Sequence, residues 1–266
     1  MVNRVKVKLP KDTAFSKMVA QAQGEVSNGH PEVIPYLDRY LDMTDATESK
    51  IEIEDFSRPP RVKERFSPSV DCMRCRRALF FDFHPDYQAD RHVDAKLRRV
   101  FNVGSATHAL IQAWFKAMSE LDGFPKLVGN EARMWMPELR MSGYIDSILD
   151  FPGWGEVPIE IKTINSYGFG RLKEPKAEHR WQIGCYLMAE DAPGGILLYI
   201  NKDTQELKEF WVEQMDMQPI LMRWQTVTDA LEGGSVNLLP PECQPGSRRE
   251  KWCEWSDVCR KCSQGL

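Results

Sequence analysis

With 266 residues, 42% of them hydrophobic and 28% charged, the chain carries enough apolar material for one sizeable core with appendages. A formal net charge of -4 excludes the globally basic signature of many nucleic-acid binders and leaves any such contact to local patches. No run approaches the roughly 18 consecutive apolar residues of a membrane span, so no membrane partner is expected.

In chain order, residues 1–66 read as an irregular N-terminal extension. Gly24, Gly29, Pro31, Pro35 and the Pro59, Pro60 pair interrupt short amphipathic stretches such as 33–42, and the segment is expected to pack on the core or bind a partner. The first eight residues show no signal-peptide pattern. Ser67 and Pro68 give a cap-and-proline helix start and open the second unit, 67–266. Periodicity then predicts a helix over 94–119, strands over 130–139, 142–150 and 157–164, a helix over 176–190 and a strand over 195–201. A strand near 206–212 and a helix over 214–232 lead to a cysteine-bearing tail. The fold class is α/β, with no internal repeat.

The chemistry is densest in the third predicted strand. Alternation places Glu160 and Lys162 on one face, with Ile161 toward a core. Glu48 with Lys50, Glu174 with Lys176 and Glu206 with Lys208 repeat that spacing, so neighbours must decide which pair matters. Asp146 lies in the preceding strand, and 151–155 is turn chemistry, so an antiparallel hairpin brings Asp146 beside Glu160. Two carboxylates and a lysine suit metal-assisted phosphodiester cleavage with Mg2+ or Mn2+. Gly104 and His108 stand one turn apart on the first core helix, the glycine allowing close packing on the side where the imidazole points. Gln182 and Tyr186 stand at i, i+4 on the second.

The ordered set Gly104, His108, Glu131, Gly143, Asp146, Glu160, Lys162, Gln182, Tyr186, Tyr199 and Lys202 resembles the PD-(D/E)xK nucleases of the RecB/AddB type, over about residues 67 to 262. The resemblance implies a restriction-endonuclease-like core of helix, three strands, helix and strand. In it, His108, Asp146, Glu160 and the Ile161 carbonyl bind the divalent ion. Asp146, Glu160 and Lys162 are catalytic, and Gln182 and Tyr186 contact DNA.

The seven cysteines are Cys72, Cys75, Cys185, Cys243, Cys253, Cys259 and Cys262. An odd count without a signal-peptide pattern argues against a disulfide scaffold and for a reducing compartment. Cys72 with Cys75, and Cys253, Cys259 and Cys262, read as soft thiolate ligands for zinc or an iron-sulphur cluster. Cys185 reads as a small buried hydrophobe, and Cys243 as a loop residue without a partner.

One upstream cysteine followed by arginines and aromatics, with three more near the C terminus, is similar to the iron-sulphur nucleases of the AddB type, the fourth CRISPR-associated protein and phage-encoded relatives. That likeness implies a 4Fe-4S cluster on Cys75, Cys253, Cys259 and Cys262, stapling the segments before and after the core. Cys72 is the alternative ligand in a zinc site. The usual C-terminal spacing, Cys-x2-Cys-x5-Cys, is broken here: Glu250 stands where the first cysteine belongs, and Cys262 follows as an extra.

Arg74, Arg76 and Arg77, then Lys96, Arg98 and Arg99, then Arg248, Arg249, Lys251, Arg260 and Lys261 form basic clusters that could hold phosphates, Arg76 and Arg77 being the DNA-binding pair singled out. The expected protein is a cytoplasmic DNA exonuclease of a prokaryotic cell or phage-infected host, acting on single-stranded DNA or duplex ends in recombination, repair or phage and CRISPR DNA metabolism. A helicase, a recombinase or a second copy are the partners considered. The rival is a non-catalytic DNA-binding or scaffolding protein on the same fold, holding structural zinc or iron-sulphur.

Overall fold

The computed structural model describes residues 29–43, 63–87 and 95–263. Glu48, Lys50, Pro59, Pro60 and the opening eight residues lie outside these. Among the described residues four helices precede the sheet: α1 (Ile34–Met43), α2 (Pro68–Asp71), α3 (Arg76–Phe83) and α4 (Ala95–Met118). Strands β1 (Lys126–Met136), β2 (Met141–Phe151) and β3 (Gly155–Ile164) follow. Helices α5 (Ser166–Arg171) and α6 (Ala177–Glu190) then cross to β4 (Gly194–Asn201), and β5 (Leu207–Glu213) leads to α7 (Gln218–Glu232), α8 (Arg248–Lys251) and α9 (Ser256–Ser263).

The strands form one mixed sheet in sequence order, antiparallel except between β3 and β4, which run parallel and therefore need the helical crossover. The predicted α/β order of helix, three strands, helix, strand is present. Both faces of the sheet are covered, which is why β4 is buried along its whole length. Ile196, Leu198 and Ile200 pack with Ile159 and Ile161 against Ile111 and Phe115 of α4 and Val33 and Leu37 of the α1 segment. Leu197 and Tyr199 face Ile183 and Leu187 of α6. A further cluster joins α3, α7 and Phe66, whose ring stacks on Trp224 at 4.9 Å. No described helix is long and apolar enough to cross a membrane.

Where the elements differ from expectation, a residue explains it. β1 stops at Met136 because Pro137, with no N–H to give the ladder, opens a 3-10 turn. The last long helix begins at Gln218 rather than 214, with Pro219 in its first turn. At Gly104 the space is ordinary: an added Cβ would stand 3.7 Å from Thr163 Oγ1, so no close approach requires glycine there. Of the two motif glycines Gly143 is the tighter, since a Cβ there would meet Met134, Tyr186 and Pro68 at 3.3–3.5 Å.

The seat of α1 is polar as well as apolar. Glu209 on β5 accepts hydrogen bonds from Val33 N at 2.7 Å and Ile34 N at 3.1 Å, satisfying amides at the N-terminus of α1. Burial pushes its carboxyl up to about 7 despite those two donors. Glu209→Ala is expected to destabilise the protein by about 1–3 kcal/mol and to speed hydrogen exchange selectively in 33–43. Unchanged protection there would contradict the capping role.

Candidate active site

The β2–β3 ladder runs from Phe151 opposite Gly155 to Ser147 opposite Ile159 and stops there. The next residues on the two strands are Asp146 and Glu160, so both carboxylates stand where the strands part. Ile161 N, beyond the end of that ladder, instead donates to Asp146 Oδ2 at 2.7 Å. The hairpin expected from the turn at 151–155 thus brings the two acids together, with Gly153 and Gly155 supplying the positive φ values of 76° and 106°. On its other edge β3 continues in register with β4, pairing Glu160 with Leu197 and Lys162 with Tyr199, which fixes the outlook of both charged residues.

Glu160 is 2% exposed and central to a buried polar network. Its Oε1 accepts from Lys162 Nζ at 2.5 Å and from Gln182 Nε2 at 2.6 Å, and the same Gln182 nitrogen donates to Tyr186 OH at 2.9 Å. Its Oε2 is buried with no hydrogen-bond partner. A fully desolvated carboxylate oxygen without a donor is costly, and a site of this kind favours either protonation or a cation. Burial pushes the Glu160 carboxyl up to about 8, with the Asp146 charge adding to the effect and Lys162 opposing it.

His108 reaches the pair from α4, its Nδ1 3.5 Å from Asp146 Oδ1. Burial disfavours the imidazolium, but the hydrogen bond and charge of Asp146, with Glu160 behind, outweigh it and raise the His108 pKa. One turn on, Gln112 donates from Nε2 to the Asp146 carbonyl at 2.8 Å and to Glu131 Oε1 at 2.9 Å. Gln112 was not singled out in the sequence; its place at i+4 from His108 is the signal that could have found it. Glu131 itself is exposed, with φ of 50°, and reaches Asp146 only through Gln112. His179 lies close by on α6. Burial, and then Lys162 and Lys176, press its pKa down to about 3, and its Nδ1 stands 2.7 Å from Tyr199 OH.

Asp146, Glu160, Lys162 and His108 therefore converge, with Gln182 and Tyr186 behind Glu160. Those last two, expected at a DNA surface, are 3% and 1% exposed and spend their polar atoms inside the network. The two arginines expected to meet DNA are turned to internal partners. Arg77 is buried, giving Nε to Leu239 O at 2.7 Å and a second nitrogen to Ser263 Oγ at 2.6 Å. Arg76 is ion-paired to Glu242 at 2.6 Å. Arg77 thus commits Nε and Nη1 inside the fold, whereas Arg76 commits its Nε and backbone N to Glu242. Among the described residues no three His, Cys, Asp or Glu side chains are gathered as the ligands of a single ion. Glu160 Oε1 is held by Lys162 and Gln182, and Asp146 Oδ2 by Ile161 N.

The cysteines separate into three places. Cys72 points into the core, its Sγ 3.7 Å from Cys185 Sγ; that contact first, and burial second, push the Cys72 thiol up. Cys75, Cys243, Cys253 and Cys259 line one cavity of about 370 Å3 between α3 and the tail. Burial, and after it the charges of Cys75 and Cys259, push the Cys243 thiol up. Cys262 lies against Tyr87, lining a separate cavity with His84.

No protein-family model matches the chain, and no curated protein matches it. Among solved structures, the crystal structure of SSO0001 superposes with a TM-score of 0.45 at 17% identity, covering 84% of this chain and 94% of that one. An alkaline exonuclease, LHK-Exo from Laribacter hongkongensis, gives 0.47 at 13% identity over 76% of this chain and 95% of its own. The same enzyme in complex with dAMP gives 0.48 at 14% identity, covering 65% and 90%.

Proposed function

We propose that the chain is a divalent-metal-dependent deoxyribonuclease whose centre is Asp146, Glu160 and Lys162. The observation that carries this is the buried, partnerless Glu160 Oε2 beside Asp146 at the point where β2 and β3 part. A carboxylate oxygen kept from water and from every protein donor is suited to a hard cation. Asp146, Glu160, the Ile161 carbonyl and the His108 imidazole would hold Mg2+ or Mn2+, which would supply Lewis-acid stabilisation of a phosphoryl oxygen.

The protein's own groups have distinct tasks. Lys162, whose Nζ donates to Glu160 Oε1, stands ready to donate a hydrogen bond to a phosphate oxygen or to orient the attacking water. Gln182, anchored by Tyr186, fixes the rotamer of Glu160 and leaves Oε2 free. Gln112 holds β2 at Asp146 by its carbonyl. Gln182 and Tyr186 thus act as positioning residues rather than as DNA contacts. Lys96 and Arg99 are exposed on the helix that carries His108 and supply a basic surface for the DNA backbone. Exonuclease action is the mode that the RecB/AddB resemblance implies.

The test is cleavage of internally and end-labelled single- and double-stranded DNA by the whole chain in Mg2+, Mn2+ or EDTA. Release of mononucleotides or short products from an end, abolished by EDTA, is expected. Binding of DNA without cleavage in either ion would establish the scaffolding alternative.

The cysteine cavity is a second cofactor site in this proposal. Its four thiols join α3, before the catalytic motifs, to the tail after them. A 4Fe-4S cluster bound there would staple the ends of the domain, with binding free energy contributing to folding. The donor set and the space both fit that group.

A further inference from the structure

We propose that the fourth ligand of this cluster is Cys243, from the proline-rich loop after α7, and that Cys262 is not a ligand. The assignment rests on the iron-sulphur reading above but departs from the C-terminal spacing that suggested it. Cys75 at the start of α3, Cys243, Cys253 and Cys259 face one cavity; Cys262, three residues beyond Cys259 on α9, is turned to Tyr87. At i and i+3 the two cysteines share one side of α9, yet Cys259 lines the four-cysteine cavity and Cys262 the neighbouring one with His84 and Tyr87.

Glu250, at the position where the family spacing would place a cysteine, also lines the cavity but is committed. Its Oε2 accepts from Gly246 N at 2.5 Å, and its Oε1 pairs with Arg260 at 3.3 Å. Those bonds close the 243–250 loop and hold Cys243 over the cavity. The other end of the loop is anchored as well: Glu242, the residue before Cys243, is gripped by Arg76, Arg223 and Arg249.

Arg77 supplies the charge that thiolates need. It is 4% exposed on the cavity wall, and its Nη1 stands 3.5 Å from Cys259 Sγ. A buried guanidinium donating to a ligand sulphur stabilises the thiolate and the cluster's negative charge.

The experiment uses the full chain purified without oxygen. Iron and acid-labile sulphide are counted for the wild type and for Cys75→Ala, Cys243→Ala and Cys262→Ala, and the wild type is alkylated with iodoacetamide before and after the iron is chelated, then peptide-mapped. The expected result is about four irons and four sulphides per wild-type chain, near-complete loss in Cys75→Ala and Cys243→Ala, and full retention in Cys262→Ala. Cys75, Cys243, Cys253 and Cys259 should be alkylated only after chelation, and Cys262 equally before and after. The mapping needs no variant to fold. Alkylation of Cys243 in the iron-loaded chain, with Cys262 protected, overturns the ligand assignment but keeps the cluster. A wild type that holds zinc, or no metal, overturns the cluster reading and this assignment with it.

Discussion

Asp146→Ala, Glu160→Ala and Lys162→Ala are each expected to lower DNA cleavage by about 10²- to 10⁴-fold, the range for loss of a group that acts on developing charge or a transferring proton. Asp146 and Glu160 are the acids at the end of the β2–β3 ladder, and Lys162 is the cation bonded to Glu160 Oε1. None of the three side chains fills the apolar clusters that hold the sheet, so circular dichroism and cooperative melting should persist. Glu174→Ala and Glu206→Ala, which repeat the carboxylate-x-lysine spacing elsewhere, should cleave at nearly the wild-type rate. Wild-type cleavage by Lys162→Ala would remove this site from the chemistry.

The second large effect is on stability and its pH dependence. Burial holds the Glu160 carboxyl at about 8 in the folded chain against an unfolded value of 4.5. A carboxyl raised on folding contributes stability fully below its unfolded pKa and loses it as pH rises through the folded pKa. In EDTA the wild type should therefore lose stability between about pH 5 and 9, by an amount on the order of a few kcal/mol, and Glu160→Gln should lack that part of the decline. Glu209, raised by burial to about 7, titrates in both proteins and cancels in the difference between the two melting curves, which reports Glu160 together with the His108 titration that its charge helps to raise. Parallel curves would show that Oε2 carries no desolvation cost. At alkaline pH the inactive Glu160→Gln protein should be the more stable of the two.

Much of this arrangement was legible in the sequence because period and turn chemistry are local. The 24-residue helix α4, the hairpin of β2 and β3, and α6 followed expectation to within two residues at each end. Asp146 beside Glu160 followed from the turn between them. What depends on residues distant in sequence was not legible. The burial of Gln182 and Tyr186 is set by Glu160 across the interface of α6 with the sheet. The inward turn of Arg77 is set by Leu239 and Ser263, more than 160 positions away in both cases. Cys243 could not be picked out, because only the folding of the 243–250 loop over α3 gives it neighbours. Cys72 looked like half of a ligand pair with Cys75 and instead meets Cys185 in the core.

Asp146 and Glu160 together should hold the ion that DNA cleavage requires. Calorimetric titration of Mn2+ into EDTA-stripped protein tests it most directly, run near pH 7 in two buffers of different ionisation enthalpy. One binding event is expected, with proton release from Glu160, weakened strongly in Asp146→Ala and without that proton release in Glu160→Gln. Equal affinity and equal proton release in wild type and both variants would contradict it.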